Sequence, residues 1–276
     1  MMMSQPILVF DIETIPDVAA GAQMHGLDLP PDQALQAMSL LRRTEALGTY
    51  AGSTDFPRLP FHEIVCISGL WVGSGEMKLF SFSQQDMSER DIIARFLGVF
   101  DKHFPTLVSW NGAGFDIPVL LYRAMKHQLS APRFLDQGEH DTSRRYDNYQ
   151  NRYQTRHTDL MDAMALFNNR NFQRLDDIAQ LFGLPGKQGV SGADVSSQVL
   201  AGQWRELKEY CEGDVLNTWL VYLRWQLLRG QLDHSDHETW VQHTRDFLAE
   251  HETHATGFLA HWPQADLIAT SPKVTD

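Results

Sequence analysis

Hydrophobic residues fall into a few runs whose spacing predicts the elements. Ile7-Leu8-Val9-Phe10 is unbroken by polar residues and reads as a buried strand. Glu63–Val72 and Glu76–Phe82, joined by Gly73-Ser74-Gly75, read as a hairpin. Ser88 is placed to cap a helix over Glu89–His103, with Asp91 as its acidic partner three positions on. That helix carries Ile92, Ile93, Phe96, Leu97 and Phe100 at helical spacing. Thr106–Trp110 reads as another short strand, and Ile117 to about Gln128 as a helix with Pro118 in its first turn. Further helices are predicted over Leu160–Phe167, over Leu175–Phe182 stopped by Gly183, over Trp204–Arg229, and from Asp236 to about His261.

Between these lie less regular stretches. Residues 19–31 are rich in turn formers and read as irregular, a helix is expected from Asp32 to about Leu47, and Gly48–Pro60 reads as loop. Together they form an insertion of about 19–60 after the first strand. Pro132–His157 is polar and crowded with Arg and Tyr. The order strand, hairpin, helix, strand, helices predicts an α/β sandwich built on a mixed sheet.

A chain of 276 residues suits one α/β domain with insertions, and an apolar fraction of 43% excludes wholesale disorder. No apolar run approaches 18 residues, so no membrane partner is expected. Nor does a basic leader precede the first strand. Cys66 and Cys211 fall in a strand-like and a helix-like pattern, outside any pairing or metal-ligand motif, which points to a reducing, cytoplasmic setting. The balance of 23 basic against 35 acidic residues, −12 in all, argues against extended duplex binding, which draws on Lys and Arg at phosphates. It is compatible with an enzyme that grips a few nucleotides at a strand end, because bound metals offset carboxylates.

The candidate chemistry is acidic. Asp11 and Glu13 follow the first apolar run two positions apart, so they share a strand face about 7 Å apart along the backbone. Carboxylates so placed can share divalent cations held about 3.5–4 Å apart, as in-line phosphoryl displacement requires. Asp116 ends Trp110-Asn111-Gly112-Ala113-Gly114-Phe115-Asp116 where a helix begins; alone, it is an ordinary first-turn acid against the helix dipole. Tyr210 and Asp214 lie four apart on one helix face, with Asn217 a turn further on, and Asp159 falls between the second and third stretches. Each piece alone is common. Their order and spacing together are selective.

Weaker features have plain alternatives. His234-x-x-His237 and His251-x-x-His254 suggest zinc, but no third ligand falls at the required helical spacing, and a solvated helix face is the simpler account. Arg170, Arg174 and Lys187 could meet a phosphate backbone or merely be solvated. The Arg/Tyr-rich segment 144–156 mixes cations with aromatic faces, as strand-binding surfaces do, or is an ordinary loop.

With these motifs in place, the chain resembles a 3′–5′ exonuclease of the DEDD superfamily. It is similar to the group related to the proofreading domain of family B DNA polymerases. Asp11-x-Glu13 matches the first motif, Asn111-Gly112-x-x-Phe115-Asp116 the second and Tyr210-x-x-x-Asp214 the third. Tyr210 lies four before Asp214, while Glu209 holds the place five before it where the other subtype has histidine, so the resemblance is to the tyrosine (DEDDy) type. Family-like sequence also occurs at Pro57–Ser68, His157–Asp162 and Gly183–Lys187, and the likeness covers about residues 6–228.

The resemblance implies a ribonuclease H-like fold: a mixed β-sheet flanked by helices, with an inserted segment after the first strand. It implies an exonuclease domain over 1–230 and a helical extension over 231–276. It further implies that Asp11, Glu13, Asp116 and Asp214 hold two Mg²⁺ or Mn²⁺ ions and that Tyr210 orients the attacking water. Thr14, Asn111, Phe115 and Lys187 would meet the terminal nucleotide, with Asp159 supporting them. The substrate expected is a single-stranded 3′ end, DNA or RNA. The alternatives are a catalytically idle nucleic-acid-binding module on the same fold, or a phosphodiesterase acting on small nucleotides.

Overall fold

In the computed structural model, residues 5–46, 57–73, 75–187, 192–251 and 253–263 are described. Five strands are present among them: β1 (Ile7–Pro16), β2 (His62–Gly73), β3 (Glu76–Ser83), β4 (Thr106–Ser109) and β5 (His157–Asp159). They form one sheet in the order β3-β2-β1-β4-β5. β1 and β2, and β2 and β3, are antiparallel; β4 lies parallel to β1 and β5 parallel to β4. This is the mixed sheet expected of a ribonuclease H-like protein.

Helices cover both faces, and the alternation of side chains along β1 decides what each face meets. Leu8, Phe10 and Ile12 pack against α3 (Glu89–Lys102) and α4 (Asp116–Lys126). Ile7 and Val9 join Leu70 and Val72 against α6 (Leu175–Leu181), α8 (Trp204–Leu228) and α9 (His234–Glu250). Strands covered on both faces read as unbroken apolar runs, which is why β1 and β4 are visible in the sequence. Ser88 caps α3 as expected, accepting from the Asp91 N–H at 3.2 Å.

Several elements depart from expectation. β1 continues to Pro16 because β2 is long enough to pair it throughout, from Ile7↔Val72 to Pro16↔His62, so Asp11 and Glu13 lie within the strand. Residues 19–31, expected to be irregular, contain α1 (Val18–His25), where the Asp17 carboxylate accepts from the Ala20 N–H and Gly26 closes the end at φ 62°. α2 (Pro31–Ala46) follows; the expected loop at 48–60 falls largely outside the described residues. The helix expected over Leu160–Phe167 is only α5 (Leu160–Met164), because Leu166 and Phe167 turn to positive φ. α7 (Val195–Leu200) is too short to carry a periodic signal and has no counterpart in the sequence pattern.

The single helix expected from Asp236 to His261 is α9 followed by α10 (Phe258–His261). Between them the backbone opens so that the N–H groups of His254 and Ala255 donate to the buried Glu212 carboxylate, at 2.9 and 3.0 Å. His254 Nδ1 lies 2.8 Å from the same carboxylate and His237 is buried, while His234 and His251 are exposed as a solvated face requires.

The Arg/Tyr-rich segment is anchored by the buried Asn148, Tyr149 and Arg156, while Tyr146 and Tyr153 face solvent. Tyr149 is buried, stacks on Phe134, and donates its hydroxyl to the Pro105 carbonyl at 2.8 Å. Arg156 pairs with Asp147 and Arg152 with Asp162, at 2.5 and 2.6 Å. A second buried network joins α1, α3 and α4. Arg123 is fully buried and donates to both Glu89 oxygens at 2.7 and 2.6 Å and to Asp17 at 2.6 Å; Lys126 also pairs with Asp17, and His127 Nε2 lies 2.6 Å from Glu89.

Candidate active site

Beyond Val9 the α8-facing row of β1 changes from apolar to acidic, and Asp11 and Glu13 continue it over the end of the hydrophobic layer. β4 ends its pairing with β1 at Val9, which leaves the Ile12 N–H free of a ladder partner. That N–H donates to Asp116 Oδ1 at 3.2 Å, so the first residue of α4 is tied directly to the strand between the two acids. Asp116 arrives there through a tight loop. Asn111 adopts φ 63°, and a Cβ on Gly112 would sit 2.2 Å from Ser109 Oγ. Asp159, at the end of β5, accepts from the N–H groups of Asn111 and Ala113, both at 2.9 Å, and thereby holds the loop.

α8 supplies the remaining side. Tyr210 and Asp214 lie one turn apart on it, and the Tyr210 phenol hydrogen bonds Asp214. The Lys187 ammonium ion-pairs with Asp214 Oδ2 at 3.0 Å, donates to the Tyr210 hydroxyl, and lies 4.6 Å from the centre of that ring. Its position is built from a distance. Asn217 accepts from the Gly186 N–H at 3.2 Å and donates to the Gly186 carbonyl at 3.3 Å, while the Lys187 N–H donates to Asp176 at 2.8 Å. Gly186 adopts φ 63°, and a Cβ there would lie 2.6 Å from Asp176 Oδ1, so only glycine fits this turn.

Electrostatics set these acids apart. Burial, then the charges of Asp116 and Asp214, push Asp11 well above the carboxylate range; burial, then Asp11 and Asp214, do the same to Glu13. Burial raises Asp116 to about 7 against the restraining hydrogen bonds at its carboxylate, and raises Asp214 despite the opposing pull of Lys187. Burial works against the Lys187 charge, but Asp214, Asp11 and Glu13 outweigh it and hold the ammonium protonated. Burial and the surrounding acids also push the Tyr210 phenol far upward. Four acids share one lysine, so the cluster is short of counter-charge.

A cleft of about 420 Å³ opens on this cluster. Asp11, Asp116, Asp214 and Lys187 form its floor and Trp110, Asn111, Phe115, Phe172 and Arg174 its walls. A second, more apolar cavity of about 240 Å³ shares Lys187 and Asp214, with Tyr210 on one side and Ala255, Gly257 and Phe258 on the other. The structure therefore brings Asp11, Glu13, Asp116, Asp214, Tyr210 and Lys187 together, with Asn111 and Phe115 beside them. Thr14 stands apart: its hydroxyl bonds His62 Nδ1 at 2.9 Å, and the His62 ring meets Phe115 edge-on at 5.0 Å.

Cys211 joins the site without any signal in the motifs. Its thiol lies 3.6 Å from both the main-chain carbonyl and a carboxylate oxygen of Asp11, and its sulfur converges with Asp11 and Glu13 within 4.8 Å. Only its place directly after Tyr210 on α8 hints at this. Asp176 is likewise absent from the motif reading, and Gly186 enters it only within the family-like Gly183–Lys187, since their role appears only once α6 and α8 are packed.

A solved structure named "ExoI/SSB-Ct complex" is similar over 84% of this chain and 46% of that one, with 13% identity and a TM-score of 0.33. The chain thus spans about half the length of the chain it matches there. None of the curated proteins compared with the sequence matches it. One family matches residues 54–262. That span contains Asp116, Lys187, Tyr210 and Asp214, starts after β1 with its Asp11 and Glu13, and runs on through α9 and α10. The family is described as predicted 3′–5′ exonucleases related to the exonuclease domain of PolB, and this chain belongs to it.

Proposed function

We propose that the protein is a metal-dependent 3′–5′ exonuclease that removes nucleotides from single-stranded 3′ ends by phosphodiester hydrolysis. The observation that carries this is the convergence of Asp11, Glu13, Asp116 and Asp214, from three separate elements, in one cluster at an aromatic-walled cleft that Asp11, Asp116 and Asp214 line. Their oxygen-only donors suit hard divalent cations, and their upward-shifted acidities mark an unmet demand for positive charge. Two Mg²⁺ or Mn²⁺ ions would be held by these four residues. Such ions supply Lewis-acid activation of water and stabilise charge on the phosphoryl oxygens.

The chain's own groups do the rest. Tyr210, protonated at any working pH, orients the attacking water by hydrogen bonding and does not take its proton. Lys187 presents a fixed positive charge to the scissile phosphate. Asn111 and Phe115 hold the terminal nucleotide, Phe115 being steadied by His62 and Thr14. Asp159 acts through the loop it anchors. The exonuclease core over residues 1–230 is closed by the extension over 231–276, of which α9, α10 and the backbone between them pack back on α8. Free, buried Cys66 and Cys211 suit a reducing, cytoplasmic setting, and no helix among the described residues is long and apolar enough to cross a membrane.

The test is incubation with end-labelled single-stranded DNA and RNA in Mg²⁺, Mn²⁺ or EDTA. Shortening from the 3′ end with metal, none in EDTA, and protection by a 3′ phosphate are expected. Loss of nucleotides from the 5′ end, or full activity in EDTA or in Asp11→Ala, would overturn the proposal.

A further inference from the structure

The ten residues from Ala165 to Arg174 contain no acid, in a chain whose net charge is −12. All nine from Leu166 onward are exposed, and they include Leu166, Phe167 and Phe172 together with Arg170 and Arg174. One end of this stretch is already part of the site, since Phe172, Gln173 and Arg174 form a wall of the cleft over Asp116 and Asp214. At the other end Phe167 meets Tyr153 edge-on at 5.0 Å, with the Arg152 guanidinium 5.3 Å from its ring centre.

The stretch is built to keep this shape. Leu166 and Phe167 adopt φ 53° and 60°, a strained conformation for residues with side chains, and it turns both apolar groups outward. The amides between them hold the backbone. Asn168 Oδ1 accepts from the Arg170 N–H at 3.1 Å, and Gln173 Nε2 donates to the Asn171 carbonyl at 3.2 Å. The rings and guanidinium groups are left facing solvent. Neither Arg170 nor Arg174 has an ion-pair partner among the described residues, unlike Arg152 and Arg156.

We propose that Leu166–Arg174 is the track along which a single strand lies as its 3′ end enters the cleft. Phe172 and Phe167 stack successive bases, and Arg170 and Arg174 meet the backbone phosphates. Rigid aromatic rings alternating with cations are what sequence-tolerant single-strand binding requires. An acid-free ledge continuous with the cleft complements a polyanion, and it is a poor match for a basic protein partner. The proposal rests on the exonuclease reading, and its test separates the two.

Two variants of the full chain keep the fold. Phe167→Gly suits the positive φ, and Arg170→Glu changes only an exposed side chain. Binding of a labelled twelve-residue oligothymidylate is measured in EDTA by fluorescence anisotropy, and hydrolysis is measured on both that oligomer and the small diester thymidine 5′-p-nitrophenyl phosphate. Each variant is expected to bind the oligomer about tenfold or more weakly, within the range for one stacked base. The KM for the oligomer should rise in step, while kcat/KM for the small diester stays unchanged. Arg170→Glu should also flatten the slope of log affinity against log salt, by about 0.7 for each phosphate the side chain no longer neutralises. Oligomer affinity equal to wild type in both variants overturns the track, as does failure of the wild-type protein to bind the oligomer. Absence of hydrolysis by the wild type strikes the exonuclease reading instead, and the binding arm in EDTA still decides the track.

Discussion

Two groups of buried carboxylates stand near opposite ends of the same stretch of β1, and burial treats them in opposite ways. Asp17 and Glu89 are as shielded from solvent as Glu13, Asp116 and Asp214, yet both titrate low, Asp17 at about 2. Arg123 and Lys126 supply cations against their two charges, and the His127 ring and main-chain N–H groups meet remaining lone pairs. Asp11, Glu13, Asp116 and Asp214 have one ammonium among four carboxylates and titrate high. Burial alone therefore does not identify a functional acid. The deficit of counter-charge does, because the first group is complete as a structural joint and the second is complete only with a cation added.

The largest effect separates the groups outright. Asp214→Asn should abolish 3′ degradation, yet in EDTA its melting temperature should equal or exceed that of the wild type, since a repelling charge is gone. Arg123→Met should do the reverse. It strands Glu89 without its cation, leaves Asp17 only Lys126, and should cost about 3–5 kcal/mol in urea unfolding. Fold loss in Asp214→Asn together with neutrality in Arg123→Met would erase the distinction.

A smaller effect is expected at Tyr210. Tyr210→Phe keeps the ring and removes the hydrogen bond to water, so single-turnover rates should fall about 10²-fold or less with substrate affinity little changed. Tyr210→His should not restore them, because the histidine subtype places its residue one position earlier. Rates equal to wild type would make the residue a packing group.

The smallest effect is on stability with pH. The four candidate catalytic acids have folded pKa values raised above their unfolded ones, so the folded state holds extra protons and loses stability as pH rises through about 7, where Asp116 titrates. Asp17 and Glu89 have lowered values; their stabilisation is complete above the unfolded carboxylate range and disappears only in acid. His62 and His157, both lowered by burial, add stability as pH rises toward the ordinary histidine value near 6.5 and nothing beyond it. Between about pH 6.5 and 8.5 the acids therefore act alone. The metal-free protein should lose a few degrees of melting temperature across that window, and saturating Mn²⁺ should remove the slope. A flat profile in EDTA would mean that the cluster is already compensated.

What the sequence reveals follows the reach of each interaction. The Asp11–Glu13 pair, the Ser88 cap and the Tyr210–Asp214 face are set by neighbours within four residues, and periodicity shows them. Lys187 can be assigned to the substrate by likeness, but its seat between Tyr210 and Asp214 depends on Asn217 gripping Gly186 from 31 positions away. The Cys211 thiol meets Asp11 across 200 positions, beyond any local pattern. α1 is different, since Asp17 and Gly26 bracket it as cap and stop and the signal is present in the sequence. The Arg/Tyr segment divides: Tyr149 belongs to the core while Tyr146 and Tyr153 are exposed, a split its composition does not show.

The opened backbone between α9 and α10 bears on where the protein can be cut. Glu212 and Glu209 stand on the same helix as Tyr210 and Asp214, and they hold the main chain of His254, Ala255 and Gly257. A protein shortened at residue 230 would keep every candidate catalytic side chain. It would also lose those three N–H donors, leave the Glu212 charge enclosed with little but Ser81 for company, and open the wall beside Tyr210. In engineering terms, the indivisible unit extends at least to α10, and fusions or deletions belong beyond it.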